Sequence, residues 1–113
     1  MANTPVVMST TSQLTASAAT YYTTPALKLT LIRRITLTNT SSGAETATLH
    51  LVASGGSAAN NNMIMKAKTL APGQSYVVAE AEGHVMSAGM TLQALASAAT
   101  AITIRASGLE MTT

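Results

Sequence analysis

The sequence predicts an all-β protein, an antiparallel β-sandwich or jelly-roll of about seven to eight short strands with an extended N-terminal arm. Three observations carry that reading. Apolar and polar residues alternate with a period of two along LKLTLIRRITLTN (27–39) and again along TATLHLVA (46–53), and successive side chains of a strand point to opposite faces. Turn chemistry recurs at strand spacings of about 8–12 residues, in NTSSG (39–43), SGGSAANNN (54–62) and APGQS (71–75). No segment of useful length competes with a helical period.

Composition narrows the class. A chain of 113 residues forms one domain and buries roughly 65% of its unfolded surface. It has no Phe, Trp or Cys and only three Tyr, so Leu, Ile, Val and Met must do the packing and the core is thin. Charged residues make up 9%, against about 25–35% on an ordinary soluble surface. A surface of hydroxyls and alanines with so few charges suits a subunit completed by neighbours. Without Cys there is neither a disulfide framework nor a thiolate metal site. The six basic residues are dispersed and lack interleaved aromatics, which argues against nucleic acid as a partner. The N-terminal stretch has no basic region followed by an apolar one, so no signal peptide is expected. No apolar run approaches the roughly 18–20 residues that span a bilayer.

Taken in order, residues 1–20 are rich in Thr, Ser and Ala and carry no charge. They are expected as an extended arm anchored by Val6, Val7, Met8 and Leu14, followed by a sandwich domain over 21–113. YYTT (21–24) is strand-like and Pro25 ends it. The organising strand is 27–39, with Leu27, Leu29, Leu31, Ile35 and Leu37 on the side to be buried. Arg33 and Arg34 interrupt that side, and a bulge or bend is expected there, or a continuous strand that passes from one sheet to the other. The 39–45 turn should close a hairpin onto 46–53, with Leu49 and Leu51 facing one way and Thr48 and His50 the other. Residues 54–62 are a flexible loop by composition. A strand over 63–70 carries Lys66 and Lys68 on one face. Pro72 and Gly73 suit the two central positions of a type II turn. A strand over 75–79 follows, then a stretch over 80–89 that holds a short helical turn. Strands over 90–96 and 101–107 close the series, with Gly108 marking a bulge before LEM (109–111).

No catalytic constellation emerges. His50 and His84 are far apart in sequence, and His50, alternating with threonines, reads as a half-exposed strand residue. Glu80 and Glu82 would share a face if extended, but the chain has no Asp, the commonest calcium ligand. No nucleophile elbow, P-loop or dinucleotide fingerprint is present. An enzyme is therefore not expected, nor a metal, a cofactor or a small-molecule substrate. Arg33 and Arg34 are the one basic doublet. Neighbouring positions should send them to opposite faces, one buried against a carboxylate such as Glu110 or Glu45 and the other at an interface.

The ordered series YY (21–22), LIRRITLTNT (31–40), TLHLV (48–52), SGGSA (54–58), LAPGQS (70–75), GMTLQA (89–94) and ITIRASGLE (102–110) resembles a family of small virion structural proteins of tailed bacteriophages. The similarity covers about residues 20–111. It implies an all-β domain displayed on a virion, a capsid decoration or cement protein that binds the phage head surface and stabilises the shell. It implies no catalytic residues. The expected partners are the major capsid protein and copies of the chain itself as a dimer or trimer, with no nucleic acid and no membrane. The product would be made in the host cytoplasm and reside on the virion head. Related groups include tail and fibre components, so the alternative is a tail-associated module that binds a host receptor or glycan. Tyr21, Tyr22 and Tyr76 are few for a glycan platform. The expected interface residues are Val6, Val7, Met8 and Leu14 of the arm with Tyr21, Tyr22, Arg33 and Arg34.

Overall fold

The structure is a computed structural model that describes residues 3–112, with side chains for all but residues 9–11. The described residues form nine strands: β1 Asn3–Gln13, β2 Ala19–Thr23, β3 Lys28–Asn39, β4 Glu45–Val52, β5 Met63–Leu70, β6 Ser75–Val77, β7 Val85–Met86, β8 Thr91–Ala96 and β9 Ile102–Thr112. Two 3₁₀ turns, Asn60–Asn62 and Ala79–Ala81, complete the ordered elements. The short helical turn expected after residue 79 is the second of these. All strand pairs are antiparallel. The first sheet runs β1-β9-β3-β6, with β7 also paired to β3, and the second runs β2-β8-β4-β5.

Both sheets feed one apolar cluster. Ile32, Ile35, Leu37, Ile102 and Ile104 enter it from the first sheet, and Leu49, Met65 and Leu92 from the second, all nearly or fully buried. Ala47, Ala94, Ala96 and Ala106 fill the space between them. Each large aliphatic side chain contributes about 1.5–3 kcal/mol by leaving water, and the alanines let two sheets without a single Phe or Trp approach closely.

Residues 3–20 join the fold. Over residues 3–13 the stretch read as an arm is an edge strand of the first sheet, running beside β9. Met8 and Leu14 lie in the core, at 3% and 0% exposure. The Tyr21 hydroxyl accepts from the Thr15 amide and donates to the Gln13 carbonyl, which fixes the corner between β1 and β2.

The hairpin expected between 27–39 and 46–53 does not form. β3 pairs with β6, β7 and β9, whereas β4 pairs with β5 and β8. The 40–44 connection crosses from one sheet to the other. Asn39, fully buried, holds that crossing. Its Nδ2 donates to the carbonyls of Gly43 and Leu70, both at 2.9 Å, and its Oδ1 accepts from the amide and hydroxyl of Ser41. A buried Asn with every polar function used is stabilising where an unsatisfied one would cost about 1–3 kcal/mol. The type II expectation at Pro72-Gly73 agrees with a Gly73 φ of 78° and a Gln74 amide donating to the Ala71 carbonyl at 3.0 Å.

The arginine doublet changes the facing of β3. The register against β9 passes from Ile32↔Gly108 to Arg34↔Ser107, so one residue of β3 is unpaired and Arg33 and Arg34 both reach the outside. Thr30 and Ile32 point inward before this bulge, and Ile35, Leu37 and Asn39 after it. Leu27, Leu29 and Leu31 are therefore not core residues. Leu29 and Leu31 are only half-buried, and Leu27 is 80% exposed with a φ of 62°. β1 has its own register shift opposite the same part of β9, between Val7 and Ser9. Gly108 itself stays in register. A Cβ there would meet the Leu31 carbonyl oxygen and lie 2.9 Å from Met8 Sδ, so the bulges of both neighbours close over a position that admits only hydrogen.

Candidate attachment surface

The two sheets treat their outer faces differently. On β4, Leu49 points into the core and His50 and Val52 point outward, yet His50 is 4% exposed and Val52 1%. The 53–62 loop covers them. His50 Nδ1 lies 2.8 Å from Asn62 Oδ1 and 3.2 Å from the Ala59 carbonyl. Both partners are acceptors, so Nδ1 carries the hydrogen. Asn62 Oδ1 also accepts from the Ala59 amide, and its Nδ2 donates to the Ser57 carbonyl. The loop that composition marked as flexible is thus latched, and His50 is a buried anchor rather than a half-exposed strand residue.

Among the described residues, no such cover lies on the centre of the first sheet. Residues paired across a sheet share a face. Leu31 pairs with Leu109 and Val85, and Leu109 with Pro5. Leu29 and Met111 form the next row. Val7 is 58% exposed and Val85 52%. Beyond them stand the arginines: Arg34 and Val7 both pair with Ser107, and Arg105 pairs with Thr36. A cleft of about 160 Å³ is lined by Val7, Arg34, Thr36, Arg105, Ala106 and Ser107. Beside it, a wider hollow of about 380 Å³ is lined by Pro5, Val6, Val7, Arg33, Ser107, Gly108 and Leu109.

The expected carboxylate partners of the arginine doublet are engaged elsewhere. Glu110 accepts from Tyr22 at 2.5 Å and from Lys28 at 3.5 Å, and Glu45 accepts from Ser97. Both arginines are exposed rather than one buried. Arg34 makes only a long, solvent-exposed contact of 3.7 Å with Glu82, a kind of pair worth roughly 0–1 kcal/mol. Glu80 accepts from Tyr76, whose ring lies 4.8 Å below Lys68 Nζ. Glu80 lies within a 3₁₀ turn and Glu82 caps its end, so the two do not share a strand face. Among the described residues, no three His, Asp or Glu side chains gather as a metal site would require.

Of the expected interface residues, Val7, Arg33 and Arg34 meet at one exposed place, and Val6 lines its margin. Met8 and Leu14 are spent on the core. Tyr21 and Tyr22 are half-buried at the other sheet's edge strand, where Tyr22 bridges to Thr30 and Glu110 of the first sheet. Burial first, and then the hydrogen bond to Glu110, push the Tyr22 hydroxyl up to about 12. Arg105, Leu109 and Val85 were missed as surface partners. Their signal was the period-two parity of the last strand read against a bulge in β3, which only the pairing register supplies. Comparison with family models, with curated proteins and with solved structures finds no match to this chain.

Proposed function

We propose that this is a virion structural protein, a jelly-roll decoration or cement protein that attaches to the head of a tailed bacteriophage and stabilises the shell. The observation that carries the reading is the uncovered outer face of the first sheet, in a chain with only ten charged residues, six basic and four acidic. Exposed apolar side chains gathered on one face favour attachment over free solution. The strand order supports the finer fold assignment. β1 pairs with β9, β2 with β8, β3 with β6 and β7, and β4 with β5. First with last and second with next-to-last is the order of a long antiparallel ribbon rolled on itself, the jelly roll used by viral capsid domains. Many copies of a modest interface, roughly 800–1,600 Å² each, add up along a shell.

The edge strand β1 is the part of the former arm best placed to touch a neighbour, through Val7 rather than through Met8 or Leu14. Deleting residues 1–20 is therefore expected to unfold the domain, since it removes two core side chains and one of the two strands paired with β9. The decisive experiment compares images of particles made with and without the chain. Density on the head surface, with heads that break at lower temperature when it is missing, is the expected result. Density confined to the tail would favour the receptor-binding alternative, and particles that never contain the chain would overturn both.

A further inference from the structure

We infer that the arginine-lined cleft on the first sheet docks a partner polypeptide through an acidic side chain set beside an aliphatic one. This rests on the attachment reading and adds the chemistry of the partner. Half of the chain's six cations, Arg33, Arg34 and Arg105, stand on this one face. Three of its four carboxylates are held elsewhere: Glu110 by Tyr22 and Lys28, Glu45 by Ser97, Glu80 by Tyr76. Among the described residues, only Glu82 reaches the cluster, at 3.7 Å from Arg34. Arg34 and Arg105 lie diagonally across β3 and β9, close enough to repel each other. A carboxylate between them relieves that repulsion and makes charge-assisted bonds, which are stronger than neutral ones. The hydroxyls of Thr36 and Ser107 line the same cleft and add donors.

The neighbouring hollow has the opposite character. Pro5, Val6, Val7 and Leu109 line it, with Arg33 at its rim. It suits an aliphatic side chain from the same partner segment. In an extended segment, residues two apart face the same way, so an acidic residue and an aliphatic one separated by a single residue would address both openings at once. A surplus of cations, internal carboxylates already occupied, a hydroxyl lining and an adjacent apolar hollow together suit a polypeptide rather than a free anion.

The test is a titration by fluorescence anisotropy of the full chain with a labelled peptide of repeated Glu-Ser-Leu-Ser, which displays glutamate and leucine on one face. Saturable binding that weakens as salt is raised is expected. Arg105→Ala, at an exposed position with its circular dichroism unchanged, should weaken it about tenfold. Val7→Ser should weaken it severalfold, and a Lys-Ser-Leu-Ser peptide should not bind. No saturable binding, unchanged binding by Arg105→Ala, or tighter binding of a single-stranded oligonucleotide than of the peptide would each overturn the inference. None of these outcomes would remove head density from imaged particles, so the attachment reading stands or falls separately.

Discussion

The outer faces of the two sheets are built from the same materials and end differently. Each presents alternate residues of short, β-branched and aliphatic strands. On the second sheet the 53–62 loop folds back, and Asn62 receives the His50 hydrogen and buries Val52 beneath the same cover. On the first sheet none of the described residues returns over Val7, Val85, Arg33 or Arg105. The lesson is that exposure follows from where the connections go. β4 and β5 are neighbours in one sheet and joined by a long loop free to cover a face, while the connections serving β1, β3 and β9 leave for the other sheet at the edges.

That contrast can be broken from either side. The largest effect is expected from Gly108→Ala, at the centre of the open sheet. The added methyl meets Met8 Sδ and the Leu31 carbonyl oxygen, a backbone atom that can withdraw only if β3 itself moves. A loss of about 3 kcal/mol is expected in urea unfolding, and a change below about 0.5 kcal/mol would show that the paired bulges are soft.

His50→Ala acts on the covered sheet. It removes the ring hydrogen that Asn62 Oδ1 and the Ala59 carbonyl share, together with a buried ring, at a cost of roughly 2 kcal/mol. Limited proteolysis should then cut within 53–62 much faster than in the native chain, while binding at the arginine cleft stays unchanged. Uncut loops would mean that the latch is not what holds the cover down.

The smallest change tests the link between the sheets. Tyr22 joins β2 to Thr30 and Glu110 of the first sheet, and its hydroxyl ionises only near 12 instead of the usual 10. The folded state thus retains a proton that the unfolded state has lost. Its contribution is fully present below about pH 10 and is lost as pH rises through about 12. Tyr22→Phe should cost about 1 kcal/mol at neutral pH and flatten the alkaline decline of stability. Absorbance titration should lose the last-ionising tyrosine. A decline equally steep in the Phe variant would assign the alkaline sensitivity elsewhere.

Much of the local structure was legible. Period-two alternation identified β3, β4, β8 and β9, Pro72-Gly73 announced its turn, and the charged doublet announced a bulge in β3. Facing was harder to read. The bulge inverts which parity is buried, so Leu29 and Leu31 left the core and Thr30 and Ile32 entered it. His50 kept its outward parity and was buried anyway by a loop that composition describes only as polar and Gly-rich. Met8 and Leu14, expected to meet a neighbour, are claimed by the chain's own core.

By itself, the order of residues determined that this chain would be strands and turns, with a thin aliphatic core and few charges, because alternation, β-branching and turn chemistry act over a handful of neighbouring positions. Which strands pair, which face stays open and which carboxylate meets which arginine were decided only in three dimensions. Those outcomes depend on connections that cross between sheets and on register between segments tens of residues apart, such as Ile32 with Gly108. No local pattern encodes them.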